Sequence, residues 1–295
     1  NLKNKFKIQS IYCDHNNFLK KLKYFFARLL VKIFIRDDLF LNSINLFTRI
    51  NLGEIKGDIL LLNWIGKETI SINDLNNINK PIIWISHDMW PSTATEHFLK
   101  DPFQKYYSEK NISGNFLKKV AFEKKKIFFK KKNIIIITNS KWMKNFFNNS
   151  PLTKKVKTQT IYNPIEGNIW IRKKSKYAKK KLGLDIRKKY ILVGAHGGFK
   201  NYRKGLDLFI ESLEYLQHLN REFEIIILGN DKNKTEIISG FKFNFRKFTS
   251  SKYDQVLYHS AANLIASPSR GESIPQFIVE TLLCKNPVVS FDIGG

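Results

Sequence analysis

The chain has 295 residues, 43% of them hydrophobic, and carries 51 Lys and Arg against 25 Asp and Glu, a formal net charge of +26. This length and composition exclude a disordered chain and allow two α/β domains. The two cysteines, Cys13 and Cys284, argue against a disulfide scaffold and a zinc centre and favour a reducing compartment. No apolar run reaches the roughly 20 residues that span a bilayer.

The positive charge has two competing explanations. It fits an anionic partner such as nucleic acid, anionic lipid or a phosphorylated substrate. It equally fits a coding bias, because Lys, Asn, Ile and Phe are all abundant. Two basic segments, residues 18–36 and 116–132, place bulky apolar residues at helical spacing. They are typical either of helices that lie on an anionic membrane or of core helices with a basic outer face.

Short apolar runs alternate with helical patterns along the chain, which is typical of βαβ units on parallel sheets. The predicted strands cover residues 58–63, 81–86, 133–138, 159–162, 190–194, 224–228, 263–266 and 287–291. The clearest helix is predicted over residues 205–219, because one stripe of it carries Leu206, Ile210, Leu213 and Leu216.

A domain boundary is predicted where the turn Asn163-Pro164 precedes a Lys-rich stretch. We therefore predict two Rossmann-like α/β domains, residues 1–165 and 166–295. The second domain is expected to be incomplete, because the chain stops at Gly295 directly after a predicted strand, where a parallel sheet would continue into a helix. We expect the chain to be a fragment that lacks both ends.

The strongest candidate site is the segment 267–280, SPSRGESIPQFIVE, in which a strand leads through a turn into a helix capped by Ser273. Ligands of open α/β sheets bind at the carboxyl ends of the strands. There Glu272 and Glu280 can accept hydrogen bonds from hydroxyl groups, and the amides of Ser273 and Ile274 can meet phosphate oxygens. Two such carboxylates fit equally a helix cap and a solvated helix residue.

The second candidate site is the segment 190–208, YILVGAHGGFKNYRKGLDL. A strand ends in a Gly-rich turn, and a helix begins near Lys204. Glycines let the backbone approach phosphates, and a lysine there adds positive charge to the helix dipole. The segment matches neither the Walker loop nor the G-x-G-x-x-G fingerprint. A solvated lysine at a helix start is the alternative.

The third candidate site is the segment 81–98, PIIWISHDMWPSTATEHF. A buried strand delivers His87 and Asp88 to the carboxyl edge of its sheet, where a residue that contacts substrate should lie. A lone histidine is more often structural than catalytic.

The C-terminal block, which continues into PVVSFDIGG at residues 287–295, resembles the E-x7-E signature of family 4 of the retaining glycosyltransferases. The fold of that family is GT-B, two Rossmann-like domains facing a cleft. The resemblance implies that Glu280 holds the ribose of a nucleotide-sugar donor and that Glu272 contacts the transferred sugar. The "RKG" at residues 203–205 is similar to the triplet whose lysine grips the donor diphosphate. The implied donor-binding set is Lys200, Arg203, Lys204, Ser273, Ile274 and Glu280.

The segment around His87, with LLNWIG at residues 61–66 and TNSKW at 138–142, resembles a subgroup of that family acting in exopolysaccharide and O-antigen assembly. This implies that His87 faces the transferred sugar and forms the catalytic pair with Glu272. It also implies an acceptor side shaped by Asp88, Trp90 and His97.

Two departures from the subgroup concern the acceptor. The subgroup's Gly-Gly-Cys is replaced by residues 94–96, ATE, and its upstream histidine by Asn63. The identity of the acceptor is therefore not carried over.

The reaction that the resemblance implies is transfer of a hexose-type sugar from a nucleoside-diphosphate sugar to a glycan or lipid-linked acceptor, with retention of configuration. It would serve cell-surface polysaccharide synthesis in the cytoplasm, with peripheral contact to anionic membrane. We expect no cofactor, because the nucleotide sugar is a substrate. We expect no metal either, because no D-x-D occurs and no His/Cys cluster has ligand spacing.

Three alternatives stay open. One is a GT-B sugar-nucleotide epimerase, which would share the donor half. Another is a non-catalytic basic protein that binds nucleic acid or other anions, although no nucleic-acid reader motif is present. The last is a remnant without activity.

Overall fold

The computed structural model describes residues 18–34, 50, 52–66, 69–99, 104, 107–130, 133–194, 197, 201–220 and 222–295. The chain divides into two compact units at the Asn163-Pro164 turn, one formed by Asn1–Asn163 with Gly295 and the other by Pro164–Gly294. Each unit is an α/β layer structure built on a sheet of mainly parallel strands.

The first unit contains a parallel sheet of four strands in the order β1-β2-β3-β4. The strands are β1 (Leu60–Leu62), β2 (Ile82–Ser86), β3 (Ile134–Thr138) and β4 (Lys157–Thr160). The helices are α1 (Phe18–Phe34), α2 (Ile72–Asn76), α3 (Phe116–Phe129) and α4 (Lys141–Asn149). Short 3-10 turns cover Leu52–Glu54, Trp90–Ser92 and Glu109–Asn111.

Side-chain caps fix the starts of three of these helices. Ser71, Asn115 and Ser140 each accept a hydrogen bond from the backbone amide three residues further on, which satisfies a free donor of the first turn. The core lies under β2, where the fully buried ring of Trp84 packs against Phe128 and Phe129 of α3 at centroid distances of 6.0 and 6.1 Å.

The second unit contains a sheet of six strands in the order β10-β9-β5-β6-β8-β7, in which only β7 runs antiparallel to its neighbour. The strands are β5 (Lys189–Gly194), β6 (Phe223–Asn230), β7 (Lys234–Ile238), β8 (Phe241–Lys247), β9 (Leu264–Ser267) and β10 (Val288–Ser290). The helices are α5 (Ser175–Lys181), α6 (Leu206–Leu213), α7 (Lys252–Ala261) and α8 (Gln276–Leu283), with 3-10 turns at Tyr202–Lys204 and Glu214–Leu219.

Within the described residues each of the eight predicted strands is present, although β4 covers 157–160 where 159–162 was predicted, and two further strands were not predicted. The extra pair is the hairpin β7–β8, which turns through Ser239 and Gly240, both at positive φ. The helix predicted over residues 205–219 is correct only in its first half, because α6 ends at Leu213 and a 3-10 turn follows.

The order of strands determines where ligands can bind. Strands β5 and β9 are parallel neighbours, so the loops that follow them leave the same edge of the sheet side by side. The loop after β9 carries the first candidate site, and the loop after β5 carries the second. In the first unit, the loop after β2 carries the third.

The two basic segments differ in how the structure uses them. Helix α3 is a core helix whose inner face buries Phe122, Lys125, Phe128 and Phe129. Helix α1 instead leaves six large apolar side chains 41–73% exposed, namely Phe18, Leu19, Leu22, Phe25, Phe26 and Leu29. Within the described parts of the chain, no helix combines the length and apolar character needed to cross a bilayer.

Candidate functional site

The loop between β5 and α6 presents two cations at the carboxyl edge of the second sheet. Arg203 and Lys204 end a 3-10 turn that Gly205 terminates in the left-handed conformation, at φ 64°. A Cβ atom on Gly205 would lie 1.8 Å from the carbonyl oxygen of Pro268, so this close approach of the two loops requires glycine. The amide of Arg270 also donates to the carbonyl of Arg203 at 2.8 Å.

Glu272, in the loop after β9, binds both of these cations. Its Oε1 accepts from Nζ of Lys204 at 2.6 Å, and its Oε2 lies 2.9 Å from Nη1 of Arg203. Burial by itself would raise the pKa of the Glu272 carboxyl, but Lys204 and Arg203 outweigh that effect and hold the pKa below its ordinary value. Glu272 is therefore an anion at neutral pH, and the three side chains carry a net charge of one positive unit.

The backbone of Glu272 is held from a second direction by the segment after β10. A Cβ atom on Gly294, which has φ 95°, would lie 2.1 Å from the carbonyl oxygen of Glu272. Gly294, the first glycine of the "GG" at residues 294–295, therefore has a packing role, because it lets one backbone lie directly against the other.

An ion pair that the sequence reading missed braces the same two loops. Arg270 donates from Nη1 to Asp207 Oδ1 at 2.7 Å and from Nη2 to Oδ2 at 2.5 Å, a bidentate arrangement. The Arg270 guanidinium also lies 3.9 Å from the centre of the Tyr202 ring. Hydrogen bonding to Arg270 lowers the pKa of Asp207, so the pair stays charged.

Glu280 lies on α8, whose first turn packs on the end of β5, where a Cβ atom on Gly194 would be 3.0 Å from the Phe277 ring. The Glu280 side chain is 14% exposed. Burial raises the pKa of Glu280 to about 7, against the smaller opposing effects of a hydrogen bond from Gln276 and the charge of Lys252. Unlike Glu272, this carboxyl therefore gains or loses its proton near neutral pH.

The prediction that Ser273 caps α8 is wrong. The helix begins at Gln276 with Pro275 in the N-cap position and no side-chain cap. Ser273 lies two residues before that N-cap position and is buried, 6% exposed. Ser273 and Ile274 belong to the loop that connects Glu272 to the helix.

The third candidate site is a small cleft in the first unit, lined by residues 63–65, 84–88, 90 and 91. His87 is exposed at its rim, with Nε2 3.3 Å from Oδ1 of Asn63. Asn63, the residue that replaces the subgroup's histidine, therefore orients the His87 ring. Asp88 organises the loop behind it: Oδ2 lies 2.6 Å from Nδ1 of His97, and Oδ1 accepts from the amide of Trp90 at 3.0 Å.

Trp90 is a core residue. It is 5% exposed and lies 5.8 Å from the Trp84 ring, so it closes the floor of the cleft. Nζ of Lys125 lies 3.5 Å from the centre of the Trp90 ring and donates to the carbonyls of Trp90 at 2.6 Å and Thr93 at 3.0 Å. Burial lowers the pKa of Lys125 well below its ordinary value.

Glu96, which departs from the subgroup's cysteine, is part of the same support. It is 5% exposed and accepts from the Tyr107 hydroxyl at 2.9 Å and from Lys118 Nζ at 2.6 Å. Burial and the Glu96 charge raise the pKa of Tyr107, which stays a neutral donor. The buried Glu96 carboxylate is therefore hydrogen-bonded by Lys118 of α3 and by Tyr107, which precedes α3.

The structure places the predicted site residues in two groups, one in each unit. Arg203, Lys204 and Glu272 are in direct contact, with Ser273, Ile274 and Glu280 following on the same loop and helix. His87, Asp88, Trp90 and His97 form the second group, and Lys200 lies outside the described residues. Among the residues with described positions, no three His, Cys, Asp or Glu side chains converge as metal ligands would.

Comparison with known proteins gives a family match in the second unit. Residues 190–295, just over a third of the chain, match a family model described as glycosyl transferases group 1. No curated protein matches the sequence.

Solved structures are similar over most of the chain. Sucrose-phosphate synthase from Thermosynechococcus elongatus is 14% identical with a TM-score of 0.61, over 82% of this chain and 58% of its own. HepE of Anabaena in complex with UDP is 19% identical with a TM-score of 0.50, over 73% of this chain and 54% of its own. A UDP-forming trehalose-phosphate synthase from Burkholderia xenovorans is 9% identical with a TM-score of 0.53, over 93% and 63%.

These similarities establish the fold. The prediction of an α/β protein with parallel sheets in Rossmann-like units of the GT-B type is confirmed. The chain spans little more than half the length of the first two structures that it matches.

Proposed function

We propose that the chain is part of a glycosyltransferase that moves a sugar from a nucleoside-diphosphate sugar to a glycan or lipid-linked acceptor, in the manner of the retaining family 4 enzymes. The observation that carries this proposal is the contact of Arg203 and Lys204 with Glu272 at the carboxyl ends of β5 and β9. Support comes from the glycosyl transferases group 1 match, which covers that part of the second unit.

The chemistry follows from the charges. A departing nucleoside diphosphate gains negative charge, which Lys204 and Arg203 would stabilise at the helix start. Glu272 would leave the cations when phosphate oxygens arrive and would then accept hydrogen bonds from the hydroxyls of the transferred sugar. Glu280 would accept from the two ribose hydroxyls. His87, held by Asn63, would face the reacting sugar, with Asp88 and His97 on the acceptor side.

The test compares a nucleoside diphosphate with its monophosphate. Lys204→Ala should weaken UDP much more than UMP, because only UDP carries the second phosphate. Glu280→Ala should weaken both equally, because ribose is common to them. Isothermal titration with the 295-residue chain measures both. Equal losses for UDP and UMP in Lys204→Ala would rule out the phosphate role of this residue.

We further propose that turnover needs no divalent metal, because the two cations and the start of α6 supply the charge that a metal would otherwise supply. Sugar transfer should then be unchanged by excess EDTA. Activity that EDTA abolishes and Mn²⁺ restores would contradict this.

A second proposal concerns the acceptor's location. Helix α1 exposes an apolar stripe flanked by the exposed Lys21 and Lys23, on a chain of net charge +26. This composition suits an anionic membrane surface, into which Phe and Leu side chains dip while lysines contact headgroups. We propose that α1 docks the protein on the inner face of the cell membrane, where a lipid-linked acceptor for polysaccharide synthesis would lie.

The structure changes which residues should test docking. Lys125 is buried, so α3 is a poor candidate. Replacing Phe25 and Phe26 of α1 by Ser should reduce co-sedimentation with phosphatidylglycerol vesicles at about 0.1 M salt, where screening acts over roughly 10 Å. Phe116→Ser, at an aromatic of α3 that is 77% exposed against 61% and 52% for Phe25 and Phe26, is the control and should have no effect. Wild-type protein that ignores these vesicles would leave coding bias as the explanation of the charge.

A further inference from the structure

A buried histidine that none of the preceding chemistry uses lies behind Glu280. His259 is on α7, its side chain is 1% exposed, and Nε2 lies 3.9 Å from Oε2 of Glu280. Its ring is enclosed by Trp170 at 5.8 Å and Phe277 at 4.8 Å. Between these two rings, Nε2 of the imidazole faces the Glu280 carboxyl.

The tautomer of His259 follows from its other nitrogen. The Thr281 hydroxyl donates its only hydrogen to the carbonyl of Phe277 at 2.7 Å, so toward Nδ1, at 3.1 Å, it can only accept. Nδ1 therefore carries the hydrogen, and Nε2 presents a lone pair. Within the described structure this buried Nε2 has no hydrogen-bond partner.

If Glu280 were ionised, a carboxylate lone pair would face the Nε2 lone pair and the two would repel each other. The arrangement is therefore more stable with one proton between the two groups. Gln276 gives a hydrogen bond to the Glu280 carboxyl, and the charged groups nearby are paired elsewhere. Lys252, at the start of α7, is 2.7 Å from Glu166, and Arg172 donates to the carbonyl of Lys285. Burial raises the pKa of the Cys284 thiol to about 11, so it stays protonated. Among the described residues, no Lys or Arg nitrogen lies within 4 Å of the Glu280 carboxyl.

We propose that His259 is a positioning residue for Glu280 and takes up its proton when Glu280 binds the ribose hydroxyls of a nucleotide. The Oε2–H bond breaks and an Nε2–H bond forms, and the electron pair stays on the carboxylate, which accepts from the two hydroxyls. No proton leaves the protein. The inference rests on the proposed function, because it needs a nucleotide at Glu280.

The burial of both groups is consistent with this resting state. Burial raises the pKa of Glu280 to about 7 and lowers that of His259 to about 4, so the free protein keeps the proton on the carboxyl. Once the carboxylate forms, its charge favours the imidazolium that faces it.

The test counts protons. UDP is titrated calorimetrically into the chain at pH 6 in MES and in Bis-Tris buffers, which both buffer at this pH and differ in ionisation enthalpy. The terminal phosphate of UDP has a pKa of about 6 and contributes equally in both proteins, so the measured quantity is the difference between them. Proton transfer from Glu280 to His259 in wild type should itself release no proton. His259→Phe fills the same space but cannot accept a proton, so it should release about 0.9 proton per UDP more than wild type, as a carboxyl of pKa about 7 requires. Relative to wild type, its affinity for UDP should fall about tenfold per pH unit below 7.

Equal proton release and equal pH slopes in the two proteins would overturn the proposal. If His259→Phe fails to fold, His259→Gln supplies the same comparison. A readout without nucleotide separates this inference from the proposed function: ¹⁵N NMR of the free chain should show His259 with hydrogen on Nδ1. Hydrogen on Nε2 would overturn the inference even if UDP binds. Failure of every nucleoside diphosphate to bind would overturn both the proposed function and this use of His259.

Discussion

Replacing Glu272 by Gln should strengthen the binding of free UDP, whereas replacing Lys204 by Ala should weaken it. In the structure Glu272 occupies both cations, with Lys204 Nζ at 2.6 Å and Arg203 Nη1 at 2.9 Å. A diphosphate must therefore displace a carboxylate of the same sign of charge. Gln keeps the shape of the side chain and removes that competing charge.

The size of the effect comes from the strength of one charged hydrogen bond. Such a bond contributes about 1.5–3 kcal/mol, which corresponds to roughly 10- to 150-fold in affinity. Solvent screens the contact little, because the side chains of Lys204 and Glu272 are 19% and 14% exposed. We expect Lys204→Ala to weaken UDP within that range. Glu272→Gln should tighten UDP by about tenfold, since the amide oxygen still accepts from Lys204.

The assay is isothermal titration of UDP at about 0.1 M salt. Lys234→Ala is the matched control, because Lys234 pairs with Glu236 at 2.7 Å on the β7–β8 hairpin, outside the loops after β5 and β9. It should leave UDP binding unchanged. Weaker UDP binding in Glu272→Gln would show that Glu272 and the diphosphate do not compete for the same cations, and the reasoning would fail.

Three further variants test other parts of the structure. Gly205→Ala should abolish UDP binding, because its Cβ would lie 1.8 Å from a backbone oxygen. The control Gly183→Ala, at nearly the same φ but in open space, should keep UDP binding and cost only about 1 kcal/mol of stability. Equal effects of the two variants on UDP binding would contradict the loop packing. In urea unfolding, Glu280→Gln should become more stable relative to wild type as pH rises from 5 to 8. The folded pKa of Glu280, about 7, lies above its ordinary value of 4.5, so wild type loses stability as pH rises through that range. A difference in unfolding free energy that does not change with pH would refute this. Lys125→Met should lower the unfolding free energy by about 2 kcal/mol, because the Thr93 carbonyl loses its lysine donor and the Trp90 carbonyl keeps the longer, 3.4 Å hydrogen bonds from Thr93. Exposed Lys124→Met should lower it by less than about 0.5 kcal/mol, and similar values for the two variants would argue against the buried position.

The sequence predicted the parallel strands well because their apolar runs are nearly continuous, as β3 shows with four consecutive isoleucines. It missed β7 and β8 because that hairpin alternates. Phe241, Phe243 and Phe245 face the core, and polar residues separate them. A search for period-two alternation with the Ser239-Gly240 turn would have found the pair.

The candidate site was predictable in its residues but not in its contacts. The motifs single out Lys204 and Glu272, yet no spacing rule indicates that these two residues, 68 positions apart, form an ion pair. Lys125 looks like one more lysine of a basic helix, and only the structure shows that it is buried on Trp90. His259 belongs to no motif, and only the structure shows that it lies next to Glu280, because α7 and α8 contact each other there.

Saturation-transfer NMR with UDP-, GDP-, ADP- and dTDP-sugars tests the central claim most directly, because it reports which protons of a donor contact the chain. We predict that at least one donor gives saturation at its ribose protons. That signal should disappear when its own nucleoside diphosphate is added and should be lost in Glu280→Ala. If the folded chain saturates none of the four donors, it does not bind a nucleotide sugar and the proposed function is wrong.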